Sequence, residues 1–458
     1  MLLLSRVGLV ALIVTPSVLA CRGSRSIANL IDTPTPHERY AQSLREARLD
    51  STALGREWIA AAELILRAPV QVEAPFREAV YLPANKASAA AYRFSARLGQ
   101  RIEVRISLQS EGTLRLFLDL FELALDSVGS LDRVESREVI GTGLTPVRAD
   151  EPELLWEPNR DATFVLRLQP ELLRAGRYTV EIRSVATLAF PVSGKDSRAI
   201  QSRFGAQRDG GTREHQGVDI FAKRGTPVLA ATDGVVRGAG TSNMGGNVVW
   251  LSDRSRGQSL YYAHLDTQLV SGGEMVRTGD TLGLVGNTGN ARGTAPHLHF
   301  GIYRRGEGAL DPFHFLIESR VQPAELRADT SLIGEWIRTS RSAVALRASP
   351  VQESPRVAEL TRHAALRALA ASGGWFRVEM PDSRVGYVPA RYTEATNDPI
   401  RTSSVPTGLL LDAPLETALV VDSLSTATRL PVLAVFDDFL LVRSRDGALA
   451  WAASTLRR

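Results

Sequence analysis

The stretch Gly283–Ile302, GLVGNTGNARGTAPHLHFGI, ends in His297-Leu298-His299 inside an apolar run of Leu298, Phe300 and Ile302. Such alternation reads as a strand, and alternate residues of a strand point to one side. His297 and His299 are therefore expected to face one pocket. The Gly, Asn, Thr and Pro residues before them make a loop that delivers the strand to a cleft, with Asn287 and Asn290 shaping the turn. This layout suits a metal site, but ordinary surface strands also carry His-x-His pairs. Residues upstream decide between the two readings.

Upstream stands His215-Gln-Gly-Val-Asp219, followed by Ile220 and by Gly225-Thr-Pro-Val-Leu-Ala230. A histidine and a carboxylate four residues apart, with Gly217 between them, can reach one ion across a bend. Adding one histidine of the later strand gives two imidazoles and a carboxylate. That is a three-ligand set for zinc which leaves a fourth position open to water. Between these segments lies Tyr261-Tyr262-Ala263-His264-Leu265, another histidine at the end of an apolar strand.

Taken in order, HQGVDI (215–220), GTPV (225–228), YAHL (262–265), GNTGN (286–290) and HLHF (297–300) resemble the lysostaphin- and LytM-type zinc metallopeptidases, from about Arg203 to Asp311. The resemblance implies that His215, Asp219 and His299 hold one zinc ion, and that His264 and His297 are catalytic and flank the bound water. A neutral imidazole there can take a proton as an amide carbon is attacked, and a protonated one can stabilise the oxyanion and supply the leaving amine. Which of His264 and His297 is the base is left open by the sequence. One departure stands out: some relatives place a tyrosine before the first ligand as an oxyanion donor, where this chain has Asp209-Gly-Gly-Thr-Arg-Glu214. Arg213 is the weakest of candidates for that role.

The function this resemblance implies is an exported zinc endopeptidase that cuts peptide cross-links of bacterial peptidoglycan. The alternative is a non-catalytic relative that activates a cell-wall amidase, as expected when ligands are lost. Here all five positions are filled.

The ends of the chain fit an envelope protein. Met1–Ala20 carries one early charge, Arg6, and an apolar run from Val7 to Val14 that is short for a membrane span but fits the core of a secretory signal. Val18-Leu19-Ala20-Cys21 resembles the bacterial lipobox, which implies lipidation of Cys21 and a membrane anchor. Leu19 is bulkier than the usual residue, so a cleaved, unlipidated signal is the other reading. Cys21 is the single cysteine, and a chain without further thiols needs no redox protection outside the cytoplasm. The 54 Lys and Arg are interspersed with 50 Asp and Glu, without a basic block, which argues against nucleic-acid binding.

With 458 residues several domains are expected. The fold class read from the pattern is mainly β and multidomain. After the signal (1–20), a spacer and helical segment (21–69) includes an expected helix from His37 to Arg67, with His37 itself on the surface. Period-two alternation then suggests a β-sandwich over 70–191, and its segments AYRFSARLGQRIEV (91–104) and AGRYTVEI (175–182) resemble bacterial pre-peptidase modules. The metallopeptidase domain is expected over 192–320, rich in Gly turns and short strands. Beyond it, Leu346, Pro350, Leu360, Leu366, Val378, Asp382 and Tyr387 recur 64 residues later as Leu410, Pro414, Leu424, Leu430, Val442, Asp446 and Trp451. Two copies of a small β module (335–396 and 400–458) follow from that offset. In the first, LRASP (346–350) and GGWFRVEMPDSRVGYVPARY (373–392) resemble bacterial SH3-like domains, which implies binding to cell-wall peptide; the second is divergent, with Asp437-Asp438-Phe439 in place of Gly373-Gly374-Trp375. Trp375 and Tyr387 are read as core residues ahead of ligand-binding ones, and His314 and His363 as structural or surface residues.

Overall fold

The computed structural model describes residues 33–124, 130–148, 151–317, 321–405, 408–425 and 428–454. The signal, the lipobox and Cys21 lie outside the described residues. Among the described residues the fold is mainly β, in several sheets, with a helical stretch near the start. No helix there is long and apolar enough to cross a membrane.

The expected helix from His37 to Arg67 is two helices. α1 (Pro36–Glu46) begins on a capping box: the Thr35 hydroxyl accepts from the Glu38 amide, and the Glu38 carboxylate accepts from the Thr35 amide. Pro36 fits the first turn because its missing N–H would have no helical partner. Arg48, in the left-handed region at φ 56°, turns the chain before α2 (Ala53–Arg67). Their apolar stripes cover the outer face of the following β region, Leu44 and Trp58 packing on Phe117, and Ile65 and Leu66 near Phe121. His37 is not a surface residue. It is buried, stacks on Trp58 at 4.8 Å and shares a 2.7 Å hydrogen bond with Gln169. Its spacing from Tyr40, Ala41 and Leu44 places it on the apolar stripe, which overrides its polarity.

The next strands are β1 (Phe76–Leu82), β2 (Ala90–Ala96), β3 (Gln100–Leu123), β4 (Leu131–Arg148), β5 (Ala162–Pro170) and β6 (Gly176–Ala186). β3 joins what the alternation suggests as two strands. Its first half pairs with β6 and its second half with β5. Ile102, Val104, Ile106, Leu116, Leu118 and Leu120 of β3 enter one core, while Phe117 and Phe121 face the helices.

The histidine-bearing region forms a ten-stranded sheet. Its central strands are β7 (Val218–Phe221), β8 (Gly234–Ser242), β9 (Gly246–Asp253), β10 (Gln258–Gln268), β11 (Thr281–Val285) and β12 (His297–Arg304). β12 lies between β7 and β10, all antiparallel, with His299 opposite both Asp219 and Ala263. One face buries Val218, Ile220, Leu260, Tyr262, Leu298, Phe300 and Ile302 in a single core. Full burial of side chains of this size contributes ~2 kcal/mol each. The period of two then leaves Asp219, Phe221, His297 and His299 on the opposite face, so the core residues fix the register that presents the polar ones.

The strands of the first small module include β13 (Ala365–Ser372), β14 (Trp375–Glu379) and β15 (Val385–Pro389). Their counterparts are β16 (Arg429–Phe436), β17 (Phe439–Arg443) and β18 (Leu449–Ala453), each displaced by the same 64 residues. The first module is not a free appendage. β13 pairs with β1 through Ala79–Ala371 and Val80–Ala370, so its sheet continues that of the β3 region. Beneath the seam, Arg377 makes a two-pronged ion pair with the fully buried Glu78 at 3.0 and 2.9 Å, and the hydroxyls of Tyr92 and Tyr387 point at the same carboxylate. Tyr387 is thus a buried partner of a neighbouring unit.

Candidate metal centre and cleft

The three residues that the family resemblance assigns to the metal converge. His215 Nε2 lies 3.0 Å from Asp219 Oδ1, His299 Nδ1 lies 3.0 Å from the same oxygen, and the two ring nitrogens are 2.9 Å apart. Among the described residues these form the group of His, Cys, Asp or Glu side chains whose ligand atoms fall within 4.8 Å of one another. Two nitrogens and one carboxylate oxygen in a tight triangle fit the donor set of a small divalent cation such as zinc. Gly217 makes the convergence possible: a Cβ there would meet the Phe300 carbonyl at 2.5 Å and the His299 ring at 2.8 Å.

The His215 ring and the Asp219 carboxylate are oriented from behind. His215 Nδ1–H donates to the Arg203 carbonyl at 2.9 Å, which turns Nε2 toward the triangle. Asp219 offers Oδ1 to the histidines and Oδ2 to Arg208, whose Nη2 donates to it at 2.7 Å and also reaches the Ser202 hydroxyl. Burial alone would raise the Asp219 carboxyl; the hydrogen bonds from His215 and His299 outweigh it and hold it well below the usual carboxylate range. Arg208 and Ser202 are contributors that spacing does not reveal, because each comes from a short strand outside the motifs that carry the ligands. The Asp209–Glu214 segment runs through a tight turn between paired strands at 207–208 and 213–214, placing Arg213 opposite Arg208.

His264 and His297 stand beside the triangle and outside it. Their rings are 5.1 Å apart, and His297 Nε2 is 4.0 Å from Asp219 Oδ1. In each, Nδ1–H donates to a main-chain carbonyl, Thr288 for His264 at 2.9 Å and Ala295 for His297 at 2.8 Å. With Nδ1 committed as a donor, Nε2 is the ring nitrogen that each histidine has left for proton exchange. Burial, helped by His297 and His299, lowers the His264 pKa to about 4, so this imidazole is neutral at physiological pH. His264 also sits at φ 62°, a strained setting for a residue with a Cβ, held by its amide bond to the Gly245 carbonyl.

The loop of the opening stretch is closed at its base by a bridge between Gly286 and His297. Asn287 shapes it by donating to the carbonyls of Arg292 and Thr294. Thr288 ties it to β9 and β10 through bonds with the Asn247 amide and the Leu265 carbonyl. The loop therefore carries the carbonyls that orient both extra histidines. His314 and His363 lie elsewhere: the first contacts Arg97, the second sits in a turn at φ 63°.

Residues 213–312 match the family described as Peptidase family M23, and residues 342–394 match the bacterial SH3 domain. The chain is 36% identical over 146 residues to the peptidoglycan DD-endopeptidase ShyC of Vibrio cholerae, covering 31% of this chain and 32% of that protein. It is 36% identical over 139 residues to the L-Ala–D-Glu endopeptidase of Bacillus subtilis, covering 28% of this chain and 42% of that one. Among solved structures, the catalytic domain of lysostaphin from Staphylococcus simulans aligns at 37% identity with a TM-score of 0.23, over 25% of this chain and 87% of that domain. The chain thus spans less than half the length of these curated relatives. On the matched segments and the intact His215–Asp219–His299 group, the chain contains a lysostaphin-like domain of peptidase family M23 joined to a bacterial SH3 domain.

Proposed function

We propose that the protein is an exported zinc-dependent endopeptidase that hydrolyses peptide cross-links of bacterial peptidoglycan. One observation carries this reading: a complete two-histidine, one-aspartate triangle flanked by two further imidazoles, each with Nδ1–H held by a main-chain carbonyl and Nε2 as its remaining ring nitrogen. His215, Asp219 and His299 would hold one zinc ion. When bound, it would supply Lewis acidity toward an amide carbonyl and acidify a water molecule. His264, neutral through burial, accepts a proton at Nε2 from the attacking water. The imidazolium so formed can donate to the developing oxyanion and deliver that proton to the leaving amine, with His297, beside Asp219, exchanging the proton at its own Nε2.

The substrate class is supported by the named activities of the relatives, a peptidoglycan DD-endopeptidase and an L-Ala–D-Glu endopeptidase, which differ in the bond they are named for. A bacterial SH3 domain on the same chain supports a wall-directed role, with the module fixed against the β3 region by the Glu78–Arg377 seam. The anchoring reading adds a lipid on Cys21, which would keep the enzyme at a membrane facing the wall. Purified sacculi incubated with the zinc-loaded protein should release cleaved cross-links, and a chelator should stop the release. Equal release with and without chelator would end the zinc reading; no release from loaded protein would end the endopeptidase reading.

A further inference from the structure

The face of the sheet that carries the metal triangle continues past it. Ala263, Tyr261 and Ser259 of β10 lie opposite His299, Gly301 and Tyr303 of β12, and Trp250 and Gly238 extend the Tyr261 row into β9 and β8. Tyr261 presents its ring edge-on to His299 at 5.9 Å and packs on Trp250 at 4.4 Å, and Trp250 meets Tyr303 at 5.3 Å. Gly301 lets Tyr303 lie back along its own strand, since a Cβ there would meet the ring at 3.0 Å. An aromatic row thus runs from a metal ligand to the far end of the face.

That row ends in a cavity of about 680 Å³ whose lining includes Arg237, Trp250, Ser259, Tyr303, Arg304 and Arg305. No Asp or Glu lines it. Arg304 is paired with Glu307 at 3.2 Å, but Arg237 and Arg305 are exposed and have no side-chain partner among the described residues. Uncompensated guanidinium groups beside aromatic walls favour a carboxylate on a partly apolar body, because Arg binds carboxylates in a two-pronged geometry and the rings shield that contact from water. Tyr303 is four residues from His299 along β12, so the cavity lies roughly 13 Å from the triangle. An extended peptide covers that span in about four residues.

We propose that this cavity is a specificity subsite that binds a carboxylate-bearing residue of the substrate peptide, about four residues from the bond being cut. The assignment rests on the endopeptidase reading for its substrate, but binding there needs no turnover. The test uses the full chain, zinc-loaded, with His297→Ala to prevent cleavage. A synthetic stem tetrapeptide with free carboxylates and its fully amidated form are titrated by calorimetry, with and without the added pair Arg237→Ala and Arg305→Ala. The free-carboxylate peptide should bind roughly tenfold more tightly than the amidated one, and the arginine changes should abolish that difference. Equal binding of the two peptides, or a difference that survives the arginine changes, overturns the subsite. In a parallel arm the wild-type chain is given a cross-linked peptide: absence of cleavage with the binding difference intact would refute the endopeptidase reading and leave the subsite standing.

Discussion

Arg208 holds the oxygen of Asp219 that faces away from the histidines, with Nη2 at 2.7 Å from Oδ2 while Oδ1 sits 3.0 Å from both His215 Nε2 and His299 Nδ1. The guanidinium fixes the carboxylate rotamer and takes no place in the triangle. Arg208→Gln should therefore weaken zinc binding by roughly 10- to 100-fold, the usual effect of losing a group that orients a ligand. Competition with a chromogenic chelator measures this, alongside a circular dichroism spectrum that should be unchanged. Wild-type affinity in the variant would show that Asp219 is positioned without Arg208.

His264 gives a pH dependence with a definite sign. In the unfolded chain it titrates near the ordinary value of 6.5, and in the fold at about 4. Between those values the unfolded chain binds a proton that the folded chain refuses, so stability is full above about pH 6.5 and is lost as pH falls toward 4. In metal-free protein, His264→Asn should lose less stability across that window; Asn tolerates the positive φ of this position. Thermal melts from pH 7 to pH 4 in chelator compare the two, and parallel curves would refute the role given to His264.

The Glu78–Arg377 seam joins two units across 299 residues of sequence. Removing the cation alone strands a buried carboxylate, so Arg377→Met should cost about 3–5 kcal/mol, and adding Glu78→Gln should recover part of that loss. Denaturant unfolding reports both. A loss below about 1 kcal/mol in the single variant would mean that Glu78 is solvated in solution, and that the module is mobile there.

If Cys21 carries the anchor, Cys21→Ser should move the protein from the membrane fraction to the soluble fraction after cell lysis and sedimentation. Unchanged sedimentation with membranes would rule out anchoring through Cys21.

The metal triangle was legible in two steps: the period of two on β12 and the spacing of four around Gly217 put His215, Asp219 and a β12 histidine within reach of one ion, and the family resemblance chose His299 over His297. The 64-residue offset was legible for a related reason: apolar positions in small β modules are fixed by packing, and β13 to β15 recur as β16 to β18 at that spacing. Contacts between distant segments were not legible. Arg208 on Asp219 and Glu78 on Arg377 are polar groups committed by tertiary packing, and nothing local distinguishes them from surface residues, whereas His37 carries a local signal in its place on the apolar stripe of α1. Nor does alternation reveal that β3 is continuous, since the exposed Glu111-Gly112-Thr113 segment resembles a turn.

The central claim is that His299 binds metal while His297, two residues away on the same face, moves protons. Zinc content by mass spectrometry and cross-link cleavage should be measured together for His299→Ala and His297→Ala. The expected result is that His299→Ala loses both zinc and turnover, whereas His297→Ala keeps about one zinc per chain and loses turnover by roughly 100-fold or more. A His297→Ala protein that loses its zinc, or that still cleaves at the wild-type rate, would contradict this division of labour.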